Sequence, residues 1–161
     1  MAERTWFGGT GAFGDPNGWS PAGAPLPGDV ARIDAGTCVA AHASLGGVAI
    51  ALQGADAGRH GTLSLDDTLV GNIALGHPVA GDAGGVATIT VAHLATFAGN
   101  VVGDAAGNAL TIALADGAVV VNGGTIEETA RGRLDVTGGH GVLVNDGLIH
   151  VDAGITIDAA V

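Results

Sequence analysis

Short runs of Val, Ile, Leu and Ala alternate along this chain with clusters of Gly, Asp and Asn. No stretch carries apolar residues at the spacing of a helical stripe, so the pattern predicts strands and corners rather than helices. Strict alternation in ATITV at 87–91 and LTIAL at 110–114 sends the larger aliphatic side chains to one face and Thr or Ala to the other. Residues favouring strands mark segments 30–33, 38–40, 48–52, 62–65, 69–75, 87–91, 110–114, 119–121, 134–136, 142–144, 148–151 and 155–157. Gly-rich separators at 54–58, 81–85 and 103–108 read as turns.

One segment repeats. VVVNGGTI at 119–126 returns 23 residues later as VLVNDGLI at 142–149, with five of eight positions identical. Each copy reads as a strand, an Asn-x-Gly corner and a second strand, with Asn122, Gly124, Asn145 and Gly147 at the corners. A repeat of this length is the mark of a solenoid, whose units cannot bury an apolar face alone and must stack. The expectation is an all-β, single-stranded parallel β-helix in which Asn122 lies over Asn145. At that period, residues 30–161 supply roughly five or six coils, ~4.8 Å apart. Gly-Asn pairs at 71–72 and 99–100 read as earlier corners, at less regular intervals.

Composition narrows the interior. With 161 residues the chain fits one domain. Its only aromatics are Trp6, Trp19, Phe7, Phe13 and Phe97, so the core is aliphatic. A net charge of −11, with no Lys, disfavours nucleic acid and anionic membrane surfaces, both of which recruit clustered cations. Scattered corner Asp residues instead keep such a solenoid dispersed. The lone Cys38 cannot form an internal disulfide and reads as a small core residue. No apolar run approaches the ~18 residues of a membrane span, so membrane insertion is not expected. The N-terminus lacks a basic start followed by an apolar run, and the abrupt termini suggest a piece of something longer.

Residues 1–34 stand apart from the coils at 35–161. They hold four of the five Pro and both Trp, a combination that fixes turns, is expected to prevent a regular strand ladder and supplies compact apolar cover. At the open end of a solenoid this makes a cap, with Trp6, Trp19, Gly28 and Asp29 as its principal residues. The segment also resembles a module of bacterial autotransporter passengers and related adhesin-like surface proteins. The resemblance is carried by Trp6, Gly8, Gly9, Gly11, Asn17, Trp19, Gly28, Asp29, Val30 and Ile33, with Pro25 or Pro27 as the proline. It departs at Phe13, where another Trp is frequent, and at the extra Gly18. The resemblance implies a right-handed parallel β-helix and an extracellular or cell-surface setting, and it implies no enzyme.

Candidate chemistry is sparse. Asp66-Asp67 and Glu127-Glu128 invite a glycosidase reading, but neighbours in a strand point to opposite faces, so solvated corner charge is the expected role. Arg131 and Arg133, two residues apart, could serve a lyase acting on acidic polysaccharide, yet the overall charge would repel that substrate. A surface ion pair is the plainer reading. His150 and Asp152 alternate onto one face and His140 lies in a Gly-rich turn, without zinc spacing. Calcium nonapeptides begin at Gly8 and Gly138 but have Phe13 and Leu143 where Asp is required. Thr88 and Thr90 form the outward pair used by ice-binding solenoids, though a single pair is explained by strand propensity.

The favoured reading is therefore non-enzymatic: an adhesin-like surface β-helix that acts as a stalk or displays binding faces to polysaccharide or a cell-surface receptor. No catalytic residue, cofactor or metal is assigned. The alternatives are a carbohydrate-active β-helix enzyme, such as a phage-spike-like polysaccharide depolymerase, and a structural solenoid that self-associates through its ends.

Overall fold

A computed structural model describes residues 1–7, 9–52, 61–75, 86–103, 109–129 and 131–160. The chain winds as a parallel β-solenoid with three sheets, here A, B and C, visited in that order in each turn. Sheet A stacks Glu3–Trp6, Val30–Ile33, Ala49–Leu52, Ile73–Leu75, Asn100–Gly103, Thr125–Glu128 and Leu148–Val151. Sheet B stacks Thr10–Ala12, Gly36–Ala41, Gly61–Asp66, Val86–Val91, Ala109–Leu114, Arg133–Thr137 and Gly154–Ile157. Sheet C has five strands, Ser44–Leu45, Thr68–Val70, Leu94–Phe97, Val119–Asn122 and Val142–Asn145, so five turns are complete.

The interior follows from alternation. In sheet B, Cys38, Leu63, Ile89, Ile112 and Val136 stack in register and are all buried. Beside them Ala40, Leu65, Val91 and Leu114 form a second inward file. Each rung thus shelters aliphatic side chains against the rung above and the rung below, which is where the hydrophobic stabilisation of a solenoid resides. Burial pushes the Cys38 thiol up to about 12, so it sits in the core as an inert hydrophobe, as expected.

The corner between sheets C and A explains the repeat. Asn122 and Asn145 are register partners, and Asn122 Nδ2 donates to Asn145 Oδ1 at 2.7 Å and to the Leu148 carbonyl at 3.2 Å. In earlier turns that position is taken by Phe97, Val70 and Leu45, so the Asn ladder has only two rungs. Glycine runs further. A Cβ on Gly147 would collide with the Gly124 carbonyl oxygen, one on Gly124 with that of Gly99, one on Gly99 with Gly71, and one on Gly71 with Gly46. Asn72 and Asn100 follow the glycines and stack with each other, the Asn72 side chain accepting from the Asn100 N–H at 3.0 Å. Gly124→Ala should therefore cost roughly 1–3 kcal/mol in equilibrium urea unfolding, since the carbonyl it meets is fixed by the ladder. Gly123→Ala, where the nearest atom is 3.7 Å away, should be much milder.

Two differences from the sequence pattern are local. The predicted strand at 69–75 is broken at Gly71 and Asn72 into a sheet C strand and a sheet A strand. Strands Ser44–Leu45, Leu94–Phe97 and Asn100–Gly103 escape notice because each mixes one or two strong strand formers with Ser, Ala, Asn or Gly. The turns expected at 54–58 and 81–85, and nearly all of that at 103–108, lie outside the described residues.

Segment 1–34, where Gly and Pro density leads one to expect no strand ladder, contributes rungs, because Pro16, Pro21, Pro25 and Pro27 fall outside the pairing strands. Glu3–Trp6 pairs in parallel with Val30–Ile33, and Thr10–Ala12 with Gly36–Ala41. The chain then reverses, and Trp19–Ser20 pairs antiparallel with Glu3–Trp6 at the edge of sheet A. Trp19 is fully buried, edge-on to Trp6 at 5.2 Å and to Phe13 at 5.1 Å, and its Nε1–H donates to the Phe13 carbonyl at 2.8 Å. Gly28 adopts φ +90°, and Asp29 accepts from the N–H groups of Ala2 at 2.8 Å and Leu26 at 3.2 Å. Those two bonds, with help from Arg4, hold the Asp29 carboxyl below its ordinary range.

Candidate functional site

The carboxylate pairs do not converge on a substrate groove. Asp66 and Asp67 sit at the corner between sheets B and C, facing histidines of adjacent turns. Asp66 Oδ1 lies 2.7 Å from His93 Nδ1, and Asp67 Oδ2 lies 3.4 Å from His42 Nδ1. The Asp66 hydrogen bond, reinforced by its charge, raises the pKa of His93.

Glu127 and Glu128 divide as neighbouring strand residues must. Glu127 faces out, 3.5 Å from His150 Nδ1. Glu128, expected as solvated corner charge, is instead fully buried, and neither carboxylate oxygen has a hydrogen-bond partner. The reason is a vacancy in its file. Ile33, Leu52, Leu75, Gly103, Glu128 and Val151 stack in register, and Gly103 offers no side chain. Glu128 occupies the space that a Cβ on Gly103 or Gly132 would need. Burial pushes its carboxyl up to about 7. A carboxyl sealed from solvent cannot reach an external glycosidic bond.

The basic and imidazole candidates are also surface pairs. Arg133 Nη2 lies 2.7 Å from Asp135 Oδ2, a different partner from the Glu127 and Glu128 suggested by sequence proximity. Arg131 is exposed, with φ +68°. His150 Nε2 is 3.8 Å from Asp152 Oδ1, while His140 offers its carbonyl to the Gly117 N–H at 3.2 Å. Among the described residues no group of three or more His, Cys, Asp or Glu is arranged to hold a metal.

The most regular outward feature is the face of sheet B. Parallel register stacks Thr10, Thr37, Thr62, Thr88, Thr111, Asp135 and Thr156 in a single file. Two residues along each strand, a second file holds Ala12, Val39, Ser64, Thr90, Ala113 and Thr137. Over the first five rungs both files are uncharged, although the chain carries a net charge of −11. Charge enters the files at Asp135, which Arg133 pairs. Sequence reading recovers only the Thr88 and Thr90 pair. Successive members of the file are 27, 25, 26, 23, 24 and 21 residues apart, so no fixed period exposes them.

Sheet C presents another surface. Leu69, Leu94 and Val144 are exposed there, as are Leu148 of sheet A and Ile155 and Ile157 of sheet B on the last rung. No described helix is long and apolar enough to cross a membrane. Comparison with protein-family models, curated proteins and solved structures finds no match to this chain.

Proposed function

We propose that this chain is a non-enzymatic, adhesin-like segment of an extracellular surface protein, a stalk whose function is to space and display its outer faces. The observation that carries the reading is the distribution of polar groups: the candidate carboxylates Asp66, Asp67 and Glu127 face histidines, Asp135 pairs with Arg133 and Glu128 is buried, while the ordered features lie on open sheet faces. A rigid stack of rungs holds such side chains in a fixed array without further ordering cost on binding. The likeness of segment 1–34 to autotransporter passengers supports the surface location. A glycan array run beside a reducing-end release assay tests the reading. Binding without release supports display, and release of reducing ends overturns it.

Self-association is a second reading, in which the edge of the last described rung, where Leu148, Ile155 and Ile157 are exposed, pairs with another copy. Unpaired strand edges with apolar side chains are templates for a further strand. Sedimentation velocity across a concentration series distinguishes a monomeric stalk from end-to-end assembly.

A further inference from the structure

We propose that the outer face of sheet B binds ice. The inference rests on the display reading and names the ligand of one displayed face. Its basis is a two-dimensional array. Along the axis, Thr10, Thr37, Thr62, Thr88 and Thr111 repeat at the rung spacing of ~4.8 Å, and within a strand the two outward files lie ~6.6–6.8 Å apart. Both repeats are close to oxygen repeats on the prism face of hexagonal ice. Each Thr offers a methyl group and a hydroxyl, so the file can order water over the methyls while hydrogen-bonding to it.

Charge supports the same occupant. An ice lattice has no counter-ions to meet fixed charge and excludes ionic groups, so its binding face must be neutral. This chain places aspartates at its corners, such as Asp67, Asp146 and Asp152, and keeps both central files of sheet B neutral across five rungs; Asp66, at the end of its sheet B strand, lies outside both files and faces His93. The second file adds Ala12, Val39, Ser64, Thr90 and Ala113, small enough to leave the Thr file accessible. Crystalline polysaccharide would also present a repeating hydroxyl surface, but pyranose rings are gripped by aromatic platforms. Here Trp6, Phe13, Trp19 and Phe97 are buried, the exposed Phe7 stands outside both files, and neither file contains an aromatic residue. Sheet C lacks the array: its outward file reads Ser44, Leu69, Thr96, Val121 and Val144.

The test measures partition of the intact chain into a slowly growing ice shell, together with inhibition of ice recrystallisation. The expected result is incorporation into ice, lost in Thr88→Lys and Thr111→Lys and retained in Val121→Lys on sheet C. Thr88→Ser, which removes one outward methyl group and keeps the hydroxyl, should weaken incorporation while circular dichroism stays native. Exclusion of the unaltered chain from ice overturns the proposal, as does equal loss in Val121→Lys and Thr88→Lys. Microcrystalline cellulose and chitin serve as parallel surfaces. Binding to either of these but not to ice overturns ice as the ligand and leaves display standing; binding to none of the three overturns the inference, and a blank glycan array beside it removes display as well.

Discussion

Trp19→Ala is expected to lower stability by about 3–5 kcal/mol, the range for deleting a fully buried large aromatic. Trp19 fills the angle between Trp6 and Phe13, and its strand closes the edge of sheet A, so truncation opens a cavity and loosens the cover of the first rung. Trp19→Phe retains a ring but forfeits the bond to the Phe13 carbonyl, and should cost less, about 1 kcal/mol for that bond plus the lost volume. Urea unfolding followed by circular dichroism checks both. A midpoint unchanged in Trp19→Ala would show that the cap contributes nothing to the stack.

The second large effect belongs to Glu128. Its folded pKa of about 7 lies above the ordinary 4.5, so the folded state binds the extra proton between those values. Below the ordinary value both states are protonated and the penalty for burying charge vanishes, leaving only the cost of the neutral carboxyl's unmade hydrogen bonds; as pH rises towards and past 7 the charge penalty grows to about 3 kcal/mol. Glu128→Met, similar in length and apolar, should remove that charge term and stabilise the protein by about this amount more at pH 8 than at pH 4.5, where only the unmade hydrogen bonds of the neutral carboxyl are relieved. Glu127 on the same strand and His150 on the next face outward and do not relieve it. His93 acts in the same direction on a smaller scale, because its raised pKa gives stability that is present below its ordinary 6.5 and lost as pH rises. Asp29 acts oppositely: its lowered pKa gives stability present above its ordinary 3.8 and lost as pH falls. Thermal melts across pH should thus peak in the mildly acidic range, and Glu128→Met should flatten the alkaline side of the curve. A wild-type melting temperature that rises from pH 5 to pH 8 would contradict this assignment.

The solenoid is legible where turns keep one length. The segments 119–126 and 142–149 align by eye because no insertion intervenes, and the predicted stacking of Asn122 on Asn145 is observed. Earlier turns vary, with partners 19 residues apart at Val30 and Ala49 and 28 apart at Ile73 and Val101. The corners read at Gly71-Asn72 and Gly99-Asn100 are observed, fixed by glycine packing and the Asn100 N–H bond to Asn72, whereas the Gly46 corner is hidden among 30 glycines. The Thr file is obscured by the same variation. Glu128 is a different failure: its burial depends on the absence of a side chain at Gly103, 25 residues earlier, which strand patterning alone does not reveal. Trp6 and Trp19 stand out because aromatic residues are scarce in so aliphatic a chain, and they pack against each other.

Spin-label distances along the Thr file test the stacked register most directly. In a Cys38→Ser background, labels at Thr10 and Thr111, Thr37 and Thr156, and Thr10 and Thr156 span four, five and six rungs. Mean separations should increase in steps of one rung, near ~19, ~24 and ~29 Å before allowance for the label arms. Separations that fail to lengthen in that order, or that place Thr10 and Thr156 close together, would contradict a parallel solenoid.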